Sequence, residues 1–249
     1  MNPLSPDIRL LIFDLDGTLI DSEQDLAIAV NATRADAGLP PLTMEDVAAM
    51  VGRGATELIR QAVPAPSRRS SPPDSGVADP ARFRHSLEFF VQYYRKHSLE
   101  HTKLYPGTAE AIGEMHAHGY TLAVLTNKPV RISRDILATL KLADKFRFIY
   151  GARGPLPGPP HPDGTQSFEE KKPNPVGILT MLKHTSLDPR QALMVGDSSV
   201  DVLTGRNAGV WTCGVTYGFQ PESLRDNPPD ILVDSLAELS AQLPTLPGN

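Results

Sequence analysis

Thiols are almost absent from this 249-residue chain: Cys213 is its one cysteine, which excludes an internal disulfide and any zinc site built from several thiolates. A reducing, cytoplasmic setting is the expectation that follows. Basic charge is also in deficit, with 24 lysines and arginines against 29 aspartates and glutamates and a formal net charge of −5. That balance offers no general attraction to nucleic acid or to an anionic membrane, so an anionic ligand must be held by a local site. Long apolar runs are missing too. Leu10-Leu11-Ile12-Phe13 is far too short to span a bilayer, and residues 1–9 carry no basic region ahead of a secretory apolar core.

What is present is the usage of an ordinary globular protein, 40% hydrophobic and 21% charged, in a chain long enough for a principal domain with a smaller one inserted. Short apolar runs bounded by Gly, Asn or Asp occur at residues 9–15, 120–126, 146–150, 192–196 and 211–215 and read as buried strands. Helical patterns at 107–118, 130–140, 175–184 and 200–208 alternate with them. That alternation implies crossover units and an α/β, doubly wound, Rossmann-like parallel sheet, with ligands at the carboxyl ends of the strands. Residues 21–103 break the rhythm. They contain helical patterns at 25–37, 45–50, 56–63 and 81–97 and no convincing strand, so an inserted α-helical cap is expected there, leaving 1–20 and 104–249 as the core. Hinges are expected near 21–22 and 104–107. The Pro- and Ser-rich stretch 64–80 reads as a mobile loop within the insert, and 152–166 as a long loop after the third core strand.

The strongest local signal is Phe13-Asp14-Leu15-Asp16-Gly17-Thr18-Leu19. Two carboxylates one residue apart point to the same face of an extended strand and so serve one site; alternatively they cap the strand end, since Asp-Gly is a common turn pair. Three further motifs stand where a parallel sheet delivers its loops to one edge: Leu125-Thr126-Asn127-Lys128, Lys171-Lys172-Pro173, and Val195-Gly196-Asp197-Ser198-Ser199-Val200-Asp201. Asp197 reads either as an acid of the site or as a helix N-cap. In the insert, Met50-Val51-Gly52-Arg53-Gly54-Ala55 is either a loop presenting N–H groups and a guanidinium to a carboxylate or an ordinary glycine-flanked turn. His85, His97 and His101 read as solvated residues of the insert, and Cys213 as a small core residue.

In this order and spacing the four core motifs resemble those of the haloacid dehalogenase (HAD) superfamily. The resemblance implies a parallel-sheet core under a helical cap and an enzyme that works through an aspartyl-phosphate. Carried over residue by residue, it makes Asp14 the nucleophile and Asp16 the general acid and base, the latter starting the cycle protonated. It makes Thr126 and the Asn127 N–H donors to phosphoryl oxygens, and Lys172 the neutralising ammonium, with Lys171 its solvated neighbour unless the two exchange roles. Mg2+ would be held by the Asp14 carboxylate, the Asp16 carbonyl and the Asp197 carboxylate, with Asp201 and Ser198 behind them. An acid at position 16 favours phosphoryl transfer over carbon–halogen cleavage, since a departing halide needs no proton.

Gly52-Arg53-Gly54-Ala55, Leu104-Tyr105-Pro106-Gly107 and Gly214-Val215-Thr216-Tyr217-Gly218 are similar to segments of phosphoglycolate phosphatases. That likeness implies a small phosphorylated metabolite, 2-phosphoglycolate, as substrate, with Arg53, Gly52 and Gly54 reading its carboxylate. It implies a monomer or homodimer, with no nucleic-acid or membrane partner. The rival readings are a phosphomutase of the β-phosphoglucomutase type, a broad-range sugar-phosphate or nucleotide phosphatase, and a catalytically silent binding protein on the same fold.

Overall fold

The computed structural model describes residues 7–64, 80–154 and 165–247. β1 (Leu10–Phe13) is apolar and buried at every position, which suits a strand covered on both faces. β2 (Ile20–Asp21) follows, then α1 (Glu23–Asp36), α2 (Met44–Ala48), α3 (Ala55–Ala62) and α4 (Pro80–His97), before β3 (Lys103–Leu104) pairs antiparallel with β2. Alternation then sets in: α5 (Thr108–Ala117), β4 (Thr121–Pro129), α6 (Val130–Thr139), β5 (Phe148–Ala152), β6 (Thr165–Phe168), α7 (Val176–Thr185), β7 (Ala192–Gly196), α8 (Ser199–Ala208), β8 (Trp211–Val215), β9 (Ile231–Val233) and α9 (Leu236–Gln242).

The main sheet has the order β6-β5-β4-β1-β7-β8-β9, and every pairing in it is parallel. β1 is the middle strand. The chain builds outward from it in one direction through β4 and in the other through β7, so the strand order reverses beside β1 and a crevice opens at its carboxyl end. Side chains alternate across the sheet as the pleat requires. Leu11, Phe13, Leu122, Val124, Leu193 and Val195 enter one apolar cluster together with Ile112 of α5, Ile136 of α6 and Leu239 of α9. Leu10, Ile12, Ala123, Leu125, Ala192 and Met194 enter the other with Ile178 of α7 and Ala208 of α8.

The doubly wound α/β sheet expected from sequence is observed, and the strands and helices read from apolar pattern are present with ends shifted by a few residues. The strands that were not anticipated are short. β6 is an edge strand whose sequence begins Thr-Gln-Ser, its first two residues falling at the end of the stretch 152–166 that reads as loop, and so has no apolar run to reveal it. Of the two Pro-rich stretches, residues 65–79 and 155–164 lie outside the described residues.

In α4 the buried positions Leu87, Phe90, Val91 and Tyr94 recur at helical spacing and form the stripe it packs inward. A carboxylate fastens the start of α1 to the approach to β3. Asp25, whose side chain is fully buried, accepts from the His101 N–H (3.0 Å), the Thr102 N–H (2.8 Å) and the Thr102 hydroxyl (2.7 Å), and its Oδ1 lies 2.9 Å from His101 Nδ1. His101 is therefore engaged with Asp25 rather than free in solvent, whereas His85 and His97 meet Asp36 and Glu100 at the surface. Burial raises the Asp25 pKa, but the hydrogen bonds from Thr102 and His101 more than reverse this and leave it below the ordinary carboxylate value. A depressed acid stabilises the fold above its unfolded pKa and loses that contribution as pH falls. Asp25→Ala is expected to lower unfolding free energy by about 2–3 kcal/mol at neutral pH in chemical denaturation, with the deficit shrinking below pH ~4.

Candidate active site

Asp14 directly follows β1. Its N–H donates to the Val195 carbonyl at 2.9 Å, which extends the β1–β7 ladder one residue further and delivers the carboxylate to the crevice. The chain then turns at Gly17 (φ 81°), where a Cβ would collide with the Asp197 carboxylate; a Cβ at Gly218 would collide with Asp197 as well. These two glycines make the space in which Asp197 sits at the end of β7. Asp197 Oδ2 accepts main-chain N–H groups from Phe219 (2.6 Å) and Gln220 (3.3 Å). Ser198 takes the N-cap position of α8, so Asp197 has no capping duty. Both the N–H (3.2 Å) and the hydroxyl (2.7 Å) of Ser198 donate to Asp201 Oδ2 in the first turn of that helix.

Lys172 joins the acids. Its ammonium donates to Asp201 Oδ1 at 2.6 Å and stands 2.8 Å from Asp14 Oδ1, an ion pair whose alignment leaves that buried oxygen without a proper hydrogen bond. Asp14, Asp197 and Asp201 each offer an oxygen within 4.8 Å of the others. Three buried carboxylates thus face one ammonium. Burial raises the Asp14 pKa to about 6 against the pull of Lys172, with Asp201 adding to the rise. Asp197 is pushed well above the ordinary range by burial and then by Asp201 and Asp14. Burial lowers the Lys172 pKa, but Asp14 and Asp201 more than reverse this and hold the group charged.

Asp16 turns the other way. Its Oδ1 accepts from the Ser22 hydroxyl and from Lys128 Nζ, both at 2.6 Å. Thr126 accepts the Lys128 main-chain N–H at its hydroxyl oxygen (3.2 Å), which leaves the hydroxyl hydrogen to point elsewhere. The Asn127 amide is committed to the frame: Oδ1 accepts the Lys172 N–H at 2.8 Å, and Nδ2 donates to the carbonyls of Lys172 (3.1 Å) and Gly52 (2.8 Å). Asp14, Asp16, Thr126, Asn127 and Lys128 floor a cavity of ≈ 40 Å³ roofed by residues of α3 and α4, among them Leu58, Phe90 and Tyr94.

Residues 11–215 match the profile of the family described as haloacid dehalogenase-like hydrolase. The chain belongs to that family. It is 37% identical over 236 residues to the phosphoglycolate phosphatase of Vibrio vulnificus, covering 94% of this chain and 95% of that protein. Against the phosphoglycolate phosphatase of Chromobacterium violaceum the identity is 35% over 232 residues, 93% of this chain and 95% of the relative. A crystal structure described as a predicted phosphoglycolate phosphatase from Haemophilus somnus superposes with a TM-score of 0.78 at 30% identity, covering 94% and 96% of the two chains. With such relatives the hydrolase is a phosphatase.

In the hydrolase, Arg53 is exposed and lines a separate hollow with Glu57, Arg60, Lys171 and Lys172, outside the cavity that holds Asp14 and Asp16. Its neighbours have a docking role. Gly52 (φ 103°) presents its carbonyl to Asn127, and a Cβ on Gly54 (φ 82°) would come within 2.8 Å of the Asn127 carbonyl. Lys171 is half-buried beside Gly54 and does not reach Asp14; Lys172 does. Sequence reading assigned no role to Lys128, Tyr94 or Gln220. Lys128 stood inside a quoted motif, but nothing near Tyr94 or Gln220 marked either residue. The Gln220 side chain donates to the carbonyls of Ala49 and Val51 at 2.9 Å while its main-chain N–H holds Asp197, so one residue touches both layers.

The donor set suits a hard divalent cation: carboxylate oxygens without His or Cys, an Asp14 oxygen lacking an aligned donor, and two acids whose pKa values are raised by burial first and by neighbouring carboxylates after it. A raised carboxyl binds more protons folded than unfolded, so without a cation stability falls as pH climbs from about 4 towards the Asp14 value of about 6 and stays lower above it. Thermal melts in chelator are expected to show this decline, and added Mg2+ should raise Tm more at pH 7.5 than at pH 5.

Proposed function

We propose that the protein is a magnesium-dependent phosphatase that converts 2-phosphoglycolate to glycolate and orthophosphate through an aspartyl-phosphate on Asp14. The observation that carries this reading is the convergence of Asp14, Lys172, Asp197 and Asp201 at one edge of a parallel sheet, with Asp14 facing a cavity roofed by helices. The names of the relatives supply the substrate. An Asp14 oxygen attacks phosphorus and the bond to the ester oxygen breaks, while Asp16 gives that oxygen its proton and glycolate leaves. Water then attacks the aspartyl-phosphate, Asp16 takes the proton back, and orthophosphate departs with the Asp14 carboxylate restored.

Lys172 stands against Asp14 and meets the charge that gathers there in both steps. The Thr126 hydroxyl hydrogen and the Asn127 N–H serve the phosphoryl oxygens. Asp14, Asp197 and the Asp16 carbonyl would hold Mg2+, which would supply the positive charge that lets a phosphate dianion approach this acidic cluster. Asp201, committed to Lys172 and Ser198, keeps the ammonium in place rather than serving the cation directly. Residues 21–103 act as a cap over the core formed by 1–20 and 104–249. Closure excludes water and opening releases product, about hinges where β2 meets β3. We place this chemistry in the cytoplasm, consistent with a lone buried thiol at Cys213.

Orthophosphate release from a panel of small phosphate esters, with and without Mg2+, tests the reading. Asp14→Asn is expected to abolish turnover and Asp16→Asn to leave at most slow turnover; full activity in either overturns the role given to that residue. Isomerisation of a hexose phosphate faster than phosphate release would establish a phosphomutase instead.

A further inference from the structure

Lys128 is a buried cation that the hydrolytic steps leave without a task. Its side chain is 3% exposed, and an ammonium carries three N–H groups. Asp16 Oδ1 takes one at 2.6 Å and the Tyr94 hydroxyl oxygen another at 2.7 Å; among the described residues no acceptor takes the third. Tyr94 comes from α4 in the roof, where its ring stacks on Phe90 with centroids 5.7 Å apart. Its hydroxyl accepts from Lys128, and among the described residues its own hydrogen has no acceptor.

Both groups line the cavity that holds Asp14 and Thr126, where the roof otherwise presents apolar side chains such as Leu58, Phe90 and Val91. Apolar walls have nothing to offer a second charged group on a ligand, and uncommitted donors buried among them are costly unless an acceptor arrives. Their parent atoms stand 2.7 Å apart, close enough for the two hydrogens to meet the two oxygens of one carboxylate. Among the described residues Lys128 is the one cationic side chain lining this cavity, since Arg53 and Lys171 line the other hollow.

We propose that Lys128 and Tyr94 bind the carboxylate of the phosphorylated substrate between them, one donor from the core and one from the roof. The assignment rests on the phosphatase reading of Asp14 and names the specificity residues of that site. Lys128 and Tyr94 then select for a short ester carrying a second anionic group, and the same contact draws α4 onto the core when substrate is bound.

The test compares kcat/KM for 2-phosphoglycolate with that for ethyl phosphate, in which a methyl replaces the carboxylate. The ratio is taken in the wild type, Lys128→Met, Tyr94→Phe and Arg53→Ala. Lys128→Met is expected to lower the ratio on the order of 100-fold and Tyr94→Phe about 10-fold, with Arg53→Ala leaving it in place. A ratio unchanged in both Lys128→Met and Tyr94→Phe, or one that falls in Arg53→Ala alone, overturns the proposal. Thermal shifts of Asp14→Asn with each ester and Mg2+ read binding without turnover. Greater stabilisation by 2-phosphoglycolate, lost when Tyr94→Phe is added, supports the subsite even if the wild type hydrolyses neither ester. Equal stabilisation by both esters overturns it whatever the turnover assay finds.

Discussion

Three buried carboxylates share one ammonium, and the rest of the site is arranged around that imbalance. Burying like charges together is unfavourable by several kcal/mol unless something positive joins them, so Asp14 and Asp197 are held with pKa values well above those of free carboxylic acids. The fold bears this strain through many small commitments. Main-chain N–H groups of Phe219 and Gln220 grip Asp197, the Ser198 cap grips Asp201, and Lys172 bridges Asp201 to Asp14. Glycines at 17 and 218 leave room for Asp197 where any side chain would collide with it. The electrostatic cost resides in the cluster, while the apolar sheet on either side of β1 supplies the stability that tolerates it.

The helical layer is joined to that cluster through single residues that each touch both. Asn127 ties the Gly52 carbonyl to the main chain of Lys172; Gln220 ties the carbonyls of Ala49 and Val51 to Asp197; Lys128 ties Tyr94 to Asp16. Each of the three meets, directly or through its neighbour, a residue to which the chemistry is assigned. The two layers are therefore connected by hydrogen bonds a few ångströms long, and on the proposed mechanism those bonds would link substrate binding to the position of the cap.

Much of the fold was legible because buried parallel strands are nearly continuous apolar runs, and β1, β7 and β8 are such runs. β2, β3, β6 and β9 were not read from the sequence, since strands of two or three residues and a polar edge strand leave no periodic trace. Within the site the motif residues Asp14, Asp16, Thr126, Lys172 and Asp197 stood out by spacing at strand ends. Arg53 attracted attention by its glycine neighbours, yet Gly54 is required by its close approach to the Asn127 carbonyl and Gly52 by its positive φ of 103°, neither of which is visible along the chain.

The sequence alone determined the parallel sheet, the run of helices that precedes its second strand β4, and the acids and lysine of the motifs gathered at one edge. Periodicity and motif spacing are local properties of a chain, and these features depend on nothing else. Only the tertiary structure decided which way each side chain turned: Asp16 towards Lys128, Arg53 away from the cavity, Gln220 across both layers. Those orientations are set by partners as many as 172 positions apart, as Gln220 is from Ala48, and no pattern along the chain encodes a contact that exists only once the layers have packed.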